Sequence, residues 1–399
     1  MKSLVRLAVG SLTVLSMGAL SQAQEYVQTN LVSATSGVAP VTDPSLKDPW
    51  GLSRTSGSDW WSSNDDSGTA TLYNGAGIKN PLVVTIPSTN PSVNPQGKPT
   101  GVIANGSTTD FQITPGKPAA FIFATLDGGI VAWNPNVLIT KGQSAPSTNA
   151  VLMDRGAVGS VYTGITSNFI NGQRFLYVAN FSRSRIDVYN NAFQHVNLSE
   201  ITTNEVAFNQ DRSATTPALP FTDNEIPANF SPFNVASIGP DVVVTYGQLV
   251  EGVPVGQGGE GLGYVDVYSS SGQLLTRLEH VNQLNAPWGV ALAPLDFGAF
   301  SHDLLIGQFG GGGTTPFAGT IAAFDLATGK FEGTLEDASG QPITIPGLWS
   351  LSPGNVAPAN VDPSKSPAAE VYFTANDAGK GLFGYFSAVA TQLTEGSNQ

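Results

Sequence analysis

Four amide side chains recur at the end of short apolar runs, Asn64, Asn180, Gln308 and Asn376, and three carboxylates, Asp65, Asp127 and Asp377, stand one residue beyond the same recurring mark. Amide and carboxylate oxygens are the ligands that a hard cation takes, six to eight of them around Ca²⁺. If the runs lie side by side around one axis, these seven residues come to one level and could hold a Ca²⁺-class ion at a channel mouth. The same residues also suit tight turns, as in Asp65-Asp66-Ser67-Gly68 and Asp127-Gly128-Gly129. Both readings stand at this level.

Three tryptophans, Trp50, Trp288 and Trp349, fall at the start of another recurring run. Rings there would either fill the space between twisted sheets or line a pocket rim and stack on a sugar or another flat ligand. Other chemistry is poorly supported. The chain has no cysteine, which removes disulfides, thiolate zinc sites and cysteine nucleophiles together. Its three histidines, His195, His280 and His302, share no repeat position, and no G-x-S-x-G occurs. Gly256 to Gly261 spells G-x-G-x-x-G but precedes a strand-like run, Gly263 to Tyr268, where a dinucleotide site needs a helix. It reads as a loop.

The elements that must position these residues form a repeat. One run ends at positions 64, 126, 180, 246, 308 and 376, with separations of 62, 54, 66, 62 and 68. The next ends on an aromatic, at Tyr73, Trp133, Tyr189, Tyr268, Phe324 and Tyr385. Each repeat opens with a Pro- or Gly-containing strand such as Pro49-Trp50-Gly51-Leu52 or Pro287-Trp288-Gly289-Val290. Proline suits a strand's first position and glycine permits close backbone approach, so both belong where strands crowd an axis. Outer strands are expected at Leu82–Ile86, Ala150–Met153, His195–Leu198, Leu274–Leu278 and Phe331–Leu335. Units that cannot bury their apolar face alone, spaced in this way, predict an all-β, six-bladed β-propeller of four-stranded blades. The sixth repeat lacks an outer strand, and Tyr26–Val32 near the N-terminus is the candidate that closes the ring and removes exposed edges. The longest insertion, residues 203–229, carries Glu205, Asp211, Asp223 and Glu225, and either covers one face or is a solvated loop.

Residues 1–23 carry Lys2 and Arg6, an apolar run from Leu7 to Leu20 and a small-residue end at Ser21-Gln22-Ala23, the pattern of a cleavable secretory signal. The propeller is then expected over residues 24–390 and a polar tail over 391–399. The whole chain has 17 basic and 30 acidic residues, and cleavage would remove only two bases. Such a field repels nucleic acid. A secreted or periplasmic, monomeric protein is expected, with no membrane contact after cleavage. The absence of cysteine in an exported chain points to bacteria.

Gln28-Thr29-Asn30-Leu31-Val32-Ser33, Asp48-Pro49-Trp50-Gly51-Leu52-Ser53, Leu72-Tyr73-Asn74-Gly75 and Asn285-Ala286-Pro287-Trp288-Gly289 resemble an uncharacterised family of secreted bacterial six-bladed propellers. That resemblance spans about Tyr26 to Phe386 and implies the fold and export, with no activity. More distantly, Pro-Trp-Gly-Val is similar to NHL repeats and to calcium-dependent propeller lactonases. The latter likeness implies an axial ion, with Asn64, Asn180 and Asp377 in part of the ligand set, although no glutamate stands at the equivalent early position. Two functions are therefore expected: a binding or scaffold module for an extracellular protein or glycan, or a divalent-metal-dependent hydrolase with an axial Ca²⁺.

Overall fold

A computed structural model describes residues 25–201, 205–206, 213–214, 219–312, 315–354, 369–377 and 379–389. The segment expected to be a signal, the 391–399 tail and residues 203–204, 207–212 and 215–218 of the 203–229 insertion lie outside the described residues. Six antiparallel sheets, one per repeat, make the blades of a propeller. From the axis outward, blade 1 is Pro49–Ser53, Trp60–Asn64, Thr69–Tyr73 and Lys79–Thr85. Blade 2 is Pro99–Ala104, Phe121–Thr125, Gly129–Trp133 and Val151–Arg155. Blade 3 is Tyr162–Ile170, Gln173–Asn180, Arg185–Asn190 and His195–Val196. Blade 4 is Phe230–Ile238, Asp241–Gln248, Gly263–Ser269 and Leu274–Arg277. Blade 5 is Pro287–Leu292, Leu304–Gln308, Ile321–Phe324 and Phe331–Thr334.

Blade 6 takes Leu348–Pro353, Val371–Asp377 and Lys380–Ala388 from the C-terminal end and Tyr26–Ser33 as its outer strand. Val27 pairs with Ser387, Thr29 with Tyr385 and Val32 with Phe383, so the ring closes as the sequence predicts. Val41–Thr42 adds a short parallel strand outside it, and the Tyr26 hydroxyl donates to the Phe297 carbonyl of blade 5 at 2.9 Å. Closure satisfies the backbone groups of both outer strands that would otherwise be free.

The second strand of each blade is buried on both faces, as in Trp60–Asn64 and Phe121–Thr125, because neighbouring blades cover it from either side. The cores accordingly sit between blades: Trp61, Val102 and Phe121 pack blade 1 on blade 2. At the axis the blades meet backbone to backbone. A Cβ on Gly51 would lie 2.6 Å from the Thr100 carbonyl, and one on Gly289 2.7 Å from the Trp349 carbonyl. Hydroxyls stitch the same seam: Thr100 donates to the Tyr162 carbonyl at 2.9 Å and Thr374 to the Trp50 carbonyl at 2.6 Å.

Register corrects two marks. Pro49 pairs with Asn64, Pro99 with Thr125, Pro287 with Gln308 and Leu348 with Ala375. The level of Asn64 is therefore Thr125 in blade 2 and Ala375 in blade 6, one residue earlier than Leu126 and Asn376. In both blades an extra residue fits the apolar-then-polar pattern, and bulges in the inner strands hide the true pairing from a reading by spacing.

Candidate functional site

The second residue of the inner strands, taken around the ring, reads Trp50, Thr100, Thr163, Phe233, Trp288 and Trp349. Four rings and two small hydroxyls fill the axis. Trp50 stacks on Trp349 with centroids 3.6 Å apart, Trp349 stacks on Phe309 at 3.8 Å, and Trp288 meets both indoles edge-on. Because blades 2 and 3 supply threonines, the Trp288 indole reaches across to donate to the Thr163 carbonyl at 2.9 Å. Trp50, Trp288 and Trp349 are 2%, 3% and 2% exposed. They are a plug that shuts the channel, not the exposed pocket rim that ligand stacking requires.

The next level, one residue beyond Asn64, reads Asp65, Leu126, Phe181, Gly247, Phe309 and Asn376. Thus Asn376 stands level with Asp65, and Asp127 and Asp377 fall one step further out, Asp127 in a turn and Asp377 as the last residue of its strand. Asp127 is exposed and accepts from the Thr89 N–H and hydroxyl at 2.5 and 2.8 Å. Asp377 is exposed and faces Lys380 across its own hairpin at 3.7 Å. Asn64 donates to the Thr71 hydroxyl at 2.9 Å, and Asn180 to Asp187 at 2.7 Å, each inside its own blade. Gln308 accepts from the Asn285 N–H and donates to the Ile306 carbonyl, both at 2.8 Å. Asn64, Asn180 and Gln308 thus hold the sheets together, and the seven residues are not brought to one point.

A different carboxylate group does assemble, at the joint of blades 1 and 6. Asp48, Asp65 and Asp66 each bring an oxygen within 4.8 Å of the others. Asp48 precedes the first inner strand in a left-handed conformation, φ 46°, which aspartate tolerates better than most residues. Its carboxylate accepts from the indole N–H groups of Trp50 at 3.0 Å and Trp349 at 3.1 Å. Burial raises its pKa above the ordinary carboxylate value, against the pull of those two donors. Asp65 is 4% exposed. Burial pushes its pKa up to about 7, although Lys98 opposes the shift from 2.9 Å; Asp48 and Asp66 add to it by repulsion. Asp66 is exposed.

Two cavities flank the plug. One, of about 360 Å³, is the channel itself, lined by inner strands of all six blades with residues such as Leu52, Val102, Ile165, Ser237, Val290 and Ser352, and none of its lining residues is ionisable. The other, of about 460 Å³, lies over blades 3 and 4 and is lined by Val161, Phe181, Leu249, Val250, Val253 and Pro254 among others. Phe181 contacts Phe233 at 5.3 Å, and Phe233 contacts Trp349 at 6.1 Å. A chain of rings therefore runs from the apolar pocket to the indole that holds Asp48.

Spacing missed Asp48, Lys98, Phe181, Phe233 and Phe309. Asp48 and Lys98 both stand just before a strand-opening proline, Asp48-Pro49 and Lys98-Pro99, and that shared offset was the available signal.

No family model matches the chain. An uncharacterised protein of Acanthamoeba polyphaga mimivirus is 27% identical over 331 residues, covering 81% of this chain and 72% of that protein. A second from the same virus is 26% identical, covering 81% and 77%. These relatives are viral, so they give the expected bacterial origin no support. Among solved structures, a streptogramin B lyase gives a TM-score of 0.46 at 9% identity, over 91% of this chain and 97% of that one. A PQQ-bound aldose sugar dehydrogenase from Streptomyces coelicolor gives 0.40 at 12%, over 92% and 99%. Such likeness assigns no chemistry to this chain.

Proposed function

We propose that this chain is an exported, soluble, monomeric binding module, and that it takes a protein segment pairing an apolar side chain with a basic one. The observation that carries this is the apolar pocket beside the plug, joined through Phe181, Phe233 and Trp349 to the carboxylates Asp48, Asp65 and Asp66. Val250 and Val253 are 38% and 37% exposed there, apolar surface that a partner would desolvate favourably. The acidic group, and the acidic balance of the whole chain, would favour a cationic neighbour and speed encounter. The metal-dependent hydrolase loses its geometric support, since its seven ligands do not converge.

Selection of a random dodecapeptide phage library on the immobilised protein tests this. Enriched peptides should carry an apolar residue close to Lys or Arg, should bind less tightly as salt rises, and should be lost on Val253→Asp. Enrichment that survives Val253→Asp, or that shows no basic residue, refutes the reading. The glycan alternative has one observation in its favour: the uncharged channel, open toward the carboxyl ends of the inner strands, presents hydroxyls from Ser53 and Ser352.

A further inference from the structure

Where blades 1 and 6 meet, buried oxygens are gathered that the protein itself does not satisfy. Asp65 is 4% exposed; its Oδ2 receives the Lys98 ammonium at 2.9 Å, and its Oδ1 is buried with no donor. Asn376, at the same level in the adjoining blade and hydrogen-bonded to Asp48, also has its Oδ1 buried without a donor. A lone buried acceptor is costly, on the order of 1–3 kcal/mol and more for a charged group, and such groups are seldom kept without a partner. What they lack is positive charge or donors. Three carboxylates bring oxygens within 4.8 Å of one another, and a single ammonium answers them.

The geometry points to a hard divalent cation site at this joint: Asp48, Asp65 and Asp66 supply anionic oxygens, Asn376 a neutral one, and the Lys98 ammonium holds the place when no ion is bound. Each part has the right chemistry. Carboxylate and amide oxygens with water completing the shell suit Ca²⁺ in particular, whose coordination number and geometry are permissive. Asp66 is exposed and leaves a side open to solvent and exchange. The Lys98 side chain is 49% exposed, so its ammonium can swing into water without opening the core. Trp50 and Trp349 hold Asp48 in place through both of its oxygens. The cation would then join blade 1 to blade 6 beside the strands that close the ring. This inference shares Asp48, Asp65 and Asp66 with the peptide-binding reading, and a bound cation would compete there with a peptide's basic side chain; metal emission reads the cation alone, so the two readings fail separately.

Terbium(III), which takes the same oxygen ligands as Ca²⁺, is the direct probe, because two indoles donate to a carboxylate that would bind it. Excitation of the full-length protein's tryptophans should give saturable Tb³⁺ emission that Ca²⁺ displaces. Lys98→Met should tighten Ca²⁺ by about tenfold by removing the competing charge, and Asp66→Asn should weaken it by about tenfold. Asp66 is on the surface, so that variant keeps the fold even if Asp65→Asn does not. Absence of sensitised emission up to millimolar Tb³⁺, emission that Ca²⁺ fails to displace, or equal affinity in the wild type and both variants overturns the proposal.

Discussion

The sharpest test of the blade packing is a single-atom change at Asp266. This residue is 2% exposed in the third strand of blade 4, where it accepts from the Tyr268 hydroxyl at 2.9 Å, itself bonded to the Tyr246 hydroxyl at 2.8 Å. In blade 3 the equivalent Asp187 is met by Arg185 at 2.6 Å. In blade 4 the position of Arg185 is taken by Tyr264, and the cross-strand Arg277 is held instead by Asp223, with one bond at 2.7 Å. Left without a close cation, Asp266 has its pKa pushed by burial from 3.8 up to about 7. The folded protein therefore binds a proton there that the unfolded chain releases near pH 4, so this group's stabilisation is complete below about pH 4 and is lost as pH rises through 7. Raising the pKa from 3.8 to about 7 corresponds to about 4 kcal/mol at most. Asp266→Asn mimics the protonated form at every pH. Urea unfolding of both proteins at pH 4.5, 6, 7 and 8.5 should show the variant ahead by about 1 kcal/mol at pH 4.5, the gap widening to about 4 kcal/mol at pH 8.5. Taking the difference cancels Asp65 and Asp303, whose raised pKa values have the same sign. A difference that does not change with pH refutes the reasoning.

Trp349→Ala removes an indole stacked on both Trp50 and Phe309 together with its N–H donor, so denaturant unfolding should show a loss of about 3–5 kcal/mol, as for a large core deletion. Gly164→Ala would place a Cβ 2.9 Å from the Cα of Asn234 in the next blade and should cost several times more than Gly57→Ala, where nothing lies within 4 Å; paired thermal melts decide it. Saturating Ca²⁺ should raise the melting temperature of the wild type and more so of Lys98→Met, with EDTA reversing both, because a ligand of the folded state alone must stabilise it. Val253→Asp should leave the melting temperature within a degree or two while abolishing capture of basic-apolar peptides.

Much of the fold was legible because a blade is a local object. Strand, turn, strand and aromatic recur within some 60 residues, and the missing outer strand of the sixth repeat had a visible substitute in Tyr26–Val32. The site was less legible. Leu126 and Asn376 matched the pattern of a strand's last residue, and only the pairing of Pro99 with Thr125 and Leu348 with Ala375 shows them to stand one level beyond Asn64. That single step separates Asp127 and Asp377 from Asp65 and puts Asn376 at its level in the adjoining blade. Likewise, three tryptophans near the axis were foreseen, but whether they line a pocket or shut it depends on Phe181, Phe233 and Phe309, contributed by blades 3, 4 and 5.

By itself the sequence determined the number of blades, the four strands of each and the closure at the N-terminal strand, since these follow from hydrophobic periodicity and turn chemistry within each repeat. Tertiary structure alone decided which oxygens share a point. Asp48, Asp65, Lys98 and Asn376 lie up to 328 positions apart in the chain, and a bulge of one residue in an inner strand is enough to turn a side chain from the axis into the sheet.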